Sequence, residues 1–151
     1  MPDPFHIRSV SVGDLAAILG IERASFGKDA YDRNLFAKYL AAPGVLFLAA
    51  ELGSRLCAYS LALSSGERAE VVSIAVAPRC RGKGMARALL ANTLRRLKRR
   101  GVTRVSLTVK IGNHAARTLY EKLGFVKTRT VRGYYEDGAD GVRMSRRVLT
   151  G

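Results

Sequence analysis

Apolar residues recur along this chain in two rhythms. Over residues 45–51, 56–63 and 69–77 they form continuous or alternating runs, cut by Gly53-Ser54 and Ser64-Ser65-Gly66. Runs of that length between turn residues predict three strands in an antiparallel meander. On both sides the spacing changes to three and four. Leu15, Ile18, Leu19 and Ala24 predict a helix with Asp14 as its N-cap, broken by Gly27-Lys28-Asp29. A second short helix runs from Asp32 through Leu35, Phe36, Tyr39 and Leu40 to Pro43-Gly44. Ala86, Leu89, Leu90, Leu94 and Leu97 predict a long helix stopped at Gly101, and residues 102–110 alternate as a strand. Asn113 opens a last helix through Ala116, Leu119 and Leu123, ended by Gly124. Residues 5–10, 125–132 and 142–148 complete the strands. The order predicts a mixed α/β fold, with a central mixed, twisted β-sheet and helices on both faces, in one domain over residues 1–151.

The junction between residues 71–76 and the long helix carries chemistry. It reads Val76-Ala77-Pro78-Arg79-Cys80-Arg81-Gly82-Lys83-Gly84-Met85-Ala86. A basic turn at a helix N-terminus offers unpaired N–H groups and partial positive charge to an anion, and Gly82 and Gly84 allow close approach. The pattern is neither G-x-G-x-x-G nor G-x-x-x-x-G-K-[ST], so the dinucleotide and P-loop readings fall away. A second motif follows at Asn113-His114-Ala115-Ala116-Arg117-Thr118-Leu119-Tyr120-Glu121-Lys122-Leu123-Gly124-Phe125. Seven residues make two helical turns, so Asn113 and Tyr120 lie on nearly one face and can address one ligand. Taken singly, Asn113 could be a plain N-cap and Tyr120 a core aromatic.

Cradle, helix motif and element order together resemble the GNAT superfamily of N-acetyltransferases over nearly the whole chain. The resemblance implies acetyl-coenzyme A as cosubstrate and no metal. It places Arg81, Gly82, Lys83, Gly84, Met85 and Ala86 against the pyrophosphate, Asn113 along the pantetheine or pyrophosphate arm, and backbone N–H groups around Ile74 and Val76 near the thioester oxygen. Tyr120 would stand by the thioester sulfur, where a phenol can protonate the departing thiolate. The pattern is that of the branch acetylating ribosomal-protein alanine and other N-terminal amines.

An ammonium acceptor must also lose a proton. Where that branch keeps a glutamate before the last helix, this chain has Thr108. In the lysine acetyltransferase branch the glutamate lies on the strand leading to the cradle, and Glu70 in Ala69-Glu70-Val71 matches it. Glu70 is therefore a candidate base; the alternative is a solvated strand-entrance residue in a surface ion pair. By the same resemblance, Phe26 and the Gly133-Tyr134-Tyr135-Glu136-Asp137-Gly138 loop would grip the acceptor, a protein or peptide N-terminus. Lysine side chains and small amines remain alternative acceptors, and a non-catalytic acyl-coenzyme A binder is the reading from another class.

Composition alters this picture at one point. Of 151 residues 48% are hydrophobic and 25% charged, as in an ordinary globular domain, but the net charge is +14. That charge admits an anionic partner, although Arg95, Arg96, Lys98, Arg99 and Arg100 also read as the solvated end of one helix. No apolar run reaches membrane-spanning length, and the first residues lack a secretory pattern, so the expected location is cytoplasmic. Cys57 and Cys80 are expected as reduced thiols. His6 and His114 take no role.

Overall fold

The computed structural model describes residues 5–148, so the ends of the expected 1–151 domain span lie outside the described residues. The elements follow the apolar rhythm. They run β1 (His6–Ser9), α1 (Leu15–Phe26), α2 (Arg33–Leu40), β2 (Val45–Leu52), β3 (Arg55–Ser65), β4 (Arg68–Val76), α3 (Met85–Arg99), β5 (Arg104–Lys110), α4 (His114–Lys122), β6 (Val126–Val131) and β7 (Gly141–Arg147). Single 3-10 turns at Val12–Asp14, Gly27–Asp29 and Pro78–Cys80 join them.

One expected cap is absent. The Asp14 carboxylate does not cap α1. It accepts from the Ser11 N–H at 2.8 Å and pairs with Arg8 at 2.8 and 2.9 Å, fastening β1 to the helix start. The Arg8 guanidinium holds the Asp14 carboxyl down at about 2. Asp32, where the second helix is expected to start, caps α2 by accepting from the Leu35 N–H at 2.9 Å.

The strands form one seven-stranded sheet in the order β1-β2-β3-β4-β5-β7-β6, antiparallel except for β4 and β5. Successive residues of a strand face opposite ways, and β3 shows which helices cover which face. Tyr59 meets Glu22 of α1 and Phe36 of α2, with ring centroids 5.9 Å apart in the second pair. Ser60, next along, meets Thr93 of α3 at 3.1 Å. Helices α1 and α2 therefore cover one face and α3 the other. The α3 stripe Leu89, Leu90, Leu94 and Leu97 is buried, as are Leu15, Ile18 and Leu19 of α1. Truncating a leucine such as Leu90 to alanine costs about 2–5 kcal/mol.

Cys57 and Cys80 are buried free thiols. Desolvation, with Cys57 adjacent, pushes the Cys80 thiol up. Among the described residues no helix is long and apolar enough to cross a membrane.

Candidate active site

The site begins where the sheet opens. Strands β4 and β5 pair only through Arg68 with Arg104, Ala69 with Val105 and Glu70 with Ser106. Beyond those pairs the strands part, leaving backbone groups of both free to meet a ligand. A cavity of about 290 Å³ occupies the opening, walled by residues 71–74 of β4 and 107–110 of β5. Ile74 lines it.

Helix α4 crosses this cavity and brings Asn113 and Tyr120 to it together. The Asn113 side-chain oxygen accepts from the Ala116 N–H at 3.2 Å, so it starts the helix and faces the cavity at once. Tyr120 is 8% exposed, with its ring 6.0 Å from that of Phe125. Its hydroxyl has no hydrogen-bond partner among the described residues. Burial, helped by neighbouring Tyr135, pushes this phenol up, which keeps it a proton donor at neutral pH.

Two loops also contribute to the wall. Phe26, at the end of α1, and Tyr135, between β6 and β7, both line the cavity. Lys110 Nζ donates to Asp29 and Asp137 at 2.8 Å each, tying the loop after α1 to the loop after β6. It also lies 5.2 Å from the Tyr135 ring centre, within cation–π range. Lys28 adds a bridge to Asp137 at 3.4 Å. Tyr134 differs from its neighbour: it is 53% exposed, stacks edge-on against Tyr135 at 5.0 Å, and does not reach the cavity wall.

Glu70 is not where the base reading requires it. It is the last β4 residue paired with β5, and its carboxylate is taken by Arg143 of β7 through two hydrogen bonds of 2.7 Å. The pair lines a separate surface depression with Arg68 and Arg104. A bidentate guanidinium occupies both carboxylate oxygens, so the surface ion-pair alternative is the one observed. Thr108 does line the cavity, and the same guanidinium donates to its hydroxyl at 3.1 Å.

The glycine-bearing turn follows β4 out of the cavity. Gly82 and Gly84 have φ of 82° and 78°, and Gly84 is the N-cap of α3. The backbone N–H groups of residues 82–87 reach no backbone acceptor among the described residues, as an anion site at a helix start requires. Gly82, Lys83 and Gly84 are exposed, Ala86 half-buried, and Met85 buried under the helix. Arg81 braces the turn by donating to the Val76 carbonyl at 3.2 Å, and Val76 stays outside the cavity wall.

The cavity also holds residues that the sequence reading passed over. Glu22 is 1% exposed, yet it lines the wall. Its carboxylate accepts from the Tyr59 hydroxyl, from Ser73 Oγ at 2.9 Å and from the Tyr31 N–H at 3.0 Å. The signal was present in its position. Leu15, Ile18, Leu19 and Glu22 stand at i, i+3, i+4 and i+7, so an acid occupies the buried stripe of α1.

Comparison with known proteins agrees with this geometry. A family model described as the acetyltransferase (GNAT) family matches residues 15–125. An N-alpha-acetyltransferase of Saccharolobus solfataricus is 30% identical over 155 residues, covering 94% of this chain and 92% of that one. The crystal structure of the ribosomal-protein-S18-alanine N-acetyltransferase from Escherichia coli superposes with a TM-score of 0.88 at 29% identity, covering 97% of this chain and 96% of that one. The fold is shared as well by the NatC complex solved with Gag peptide and CoA, at a TM-score of 0.87 and 18% identity, covering 96% and 99%. With the parted strands, the helix-borne tyrosine and the glycine turn all in place, the chain belongs to the GNAT family and is an N-acetyltransferase with the pattern of the ribosomal-protein-alanine and N-terminal amine branch.

Proposed function

We propose that the protein transfers acetyl from acetyl-coenzyme A to the α-amine of a protein or peptide N-terminus. The observation that carries this reading is Tyr120, its hydroxyl unpartnered among the described residues, lining a cavity whose wall also holds Phe26 and Tyr135. The residues fit the cosubstrate. Free N–H groups at residues 82–87, with Lys83 and Arg87 exposed beside them, suit a pyrophosphate. Asn113 and the unpaired β4 backbone at Ile74 suit a polar, extended arm ending in a thioester.

In this reading Tyr120 donates its proton to the sulfur as the thiolate leaves, and parted β4 N–H groups meet the charge developing on the thioester oxygen. Phe26 and Tyr135 offer apolar surface and ring edges to the first residues of a peptide, and the ion pairs of Lys110 hold the two loops at a fixed spacing. The relatives act, by their names, on α-amines and on an alanine of a ribosomal protein, and the NatC structure holds a peptide. Those properties support an N-terminal acceptor here over a free small amine.

The test is release of coenzyme A from acetyl-coenzyme A with short peptides varied at their first residue, the same peptides blocked at the α-amine but carrying lysine, and small amines. Turnover confined to free α-amines is expected. Turnover with lysine or small amines alone would replace the acceptor assignment. Tight binding without turnover on any amine would favour a non-catalytic binder.

A further inference from the structure

We infer that the buried carboxylate of Glu22 takes the proton that the acceptor ammonium must lose before it attacks. This inference rests on the reading of the cavity as the acetyl-transfer site and adds to it the residue that completes the proton path.

Glu22 sits where a leucine would satisfy the helix stripe, and it is almost wholly removed from water. Burying a carboxylate is costly unless its charge is compensated. Three donors hold this one in place: the Tyr59 hydroxyl, Ser73 Oγ and the Tyr31 N–H. All three are neutral. Among the described residues no lysine, arginine or histidine lies within ion-pair distance of it. The other acids near the cavity are committed elsewhere, Asp29 to Lys110 and Glu70 to Arg143 outside it. Thr108, at the position where the related branch keeps a glutamate, has no basic atom to offer. A cation entering this cavity meets one lining carboxylate that neutral donors hold and that no cationic side chain among the described residues pairs with.

An α-ammonium is such a cation. Its N–H bond breaks with the electron pair remaining on nitrogen, and the proton passes to Glu22, leaving a neutral amine beside a neutral acid. The amine nitrogen bonds to the thioester carbon and the C–S bond breaks, its pair going to sulfur, which takes the Tyr120 proton. The second N–H proton, released as the amide forms, restores Tyr120. One proton remains on Glu22 and returns to solvent when the product leaves. Converting a buried ion pair into two neutral partners suits a site with little water.

The titratable groups facing Glu22 are Tyr59 from β3 and Tyr31 from the loop before α2, with Asp29, Lys110, Tyr120 and Tyr135 across the cavity. Burial and the Glu22 charge itself push the Tyr59 phenol far up, so it remains a donor throughout the neutral range. Ser73 Oγ also lies 3.0 Å from the Tyr59 hydroxyl, so the two hydroxyls that donate to the same carboxylate oxygen stand side by side.

The closing experiment measures kcat/KM against pH for the wild type and for Glu22→Gln, which keeps the shape and an acceptor oxygen, together with acetyl-coenzyme A affinity by calorimetry. At neutral pH the variant should fall by about 100-fold with affinity for acetyl-coenzyme A unchanged within about twofold. The deficit should shrink as pH passes about 8, where an α-amine arrives already neutral. A deficit equal at every pH, or no deficit, overturns the proton role. If Glu22→Gln does not fold, Tyr59→Phe serves: removing one donor to the carboxylate should move the acid limb of kcat/KM upward by about one pH unit, and an unmoved limb overturns the role. A wild type that releases no coenzyme A with any amine overturns the acetyl-transfer reading and this inference together, whereas an active wild type matched by Glu22→Gln overturns this inference alone.

Discussion

Arg143 grips Glu70 through two hydrogen bonds of 2.7 Å, in a depression separate from the cavity that Tyr120 lines. The pair joins β4 to β7 across β5, at the last register position before the sheet opens. Its side chains are 29% and 38% exposed, so water screens it and the stabilisation is about 1 kcal/mol or less. Glu70→Gln should therefore lower the melting temperature by about 2–4 °C and leave kcat within about twofold of the wild type. Calorimetric melting beside steady-state turnover checks both. A loss of 100-fold or more at unchanged stability would return Glu70 to the chemistry.

Tyr120 should behave in the opposite way. Tyr120→Phe keeps the ring against Phe125 and removes the hydroxyl that the proposed mechanism uses to protonate the leaving thiolate. Turnover should drop by about 10²–10³-fold while acetyl-coenzyme A affinity holds. The pH response has a defined sign. Burial pushes Tyr120 up and carries Tyr31 and Tyr135 up to about 12. The folded protein then keeps protons that the unfolded chain gives up at about pH 10. The stability linked to these groups is complete below that pH and is lost as pH rises through their folded values. Alkaline unfolding should track phenolate absorbance, and Tyr31→Phe should delay it.

The strand and helix rhythm of the sequence carried the fold because each element buries one face, and burial is what periodicity records. It carried less of the site. Asn113, Tyr120 and the glycine turn stand in motifs whose spacing has a mechanical meaning. Glu22 belongs to no motif, and its partners Tyr59 and Ser73 are 37 and 51 residues away in the chain. Such a cluster forms only when β3, β4 and α1 are stacked. Glu70 shows the converse: its match to the strand glutamate of the lysine acetyltransferase branch nominated it, and Arg143, 73 residues later, holds its carboxylate. Asp14 was read as a cap from local sequence and is instead claimed by Arg8. In both places a guanidinium claims the carboxylate, and the sequence pattern does not show which carboxylate an arginine will reach.

Lys110 links the loops after α1 and β6, proposed to hold the acceptor, which share no other described ion pair except the longer Lys28 to Asp137 contact. Lys110 holds the Asp137 carboxyl well below the usual carboxylate range, so the link persists through mild acid. Lys110→Met preserves the stem that lies by Tyr135 and removes both ion pairs. Peptide KM should rise by about 5–10-fold with acetyl-coenzyme A KM unchanged, and the wild type should approach the variant as salt is raised. Equal KM values for the two proteins at low salt would show that the loops hold their spacing without the lysine.

Gly84 carries the sharpest test of the donor side. Its φ of 78° lies in the left-handed region, and a Cβ built there meets no atom within 4 Å. Space is therefore not the constraint; conformation is. A side chain at this φ costs about 1–2 kcal/mol, so Gly84→Ala either lowers stability by that amount or relaxes the turn and tilts the N–H groups of residues 82–87 away from one focus. An anion bound by convergent N–H groups is sensitive to such tilting, because each bond weakens as its angle departs from linearity. Acetyl-coenzyme A should bind about tenfold more weakly, whereas peptide KM at saturating donor should stay the same. Arg95→Ala, in the exposed middle of the same helix, is the control for a general loss of positive charge and should leave donor affinity within about twofold. Calorimetric titration of coenzyme A into the three proteins separates the two causes: equal losses in both variants would assign donor affinity to net charge, and a loss confined to Gly84→Ala assigns it to the turn.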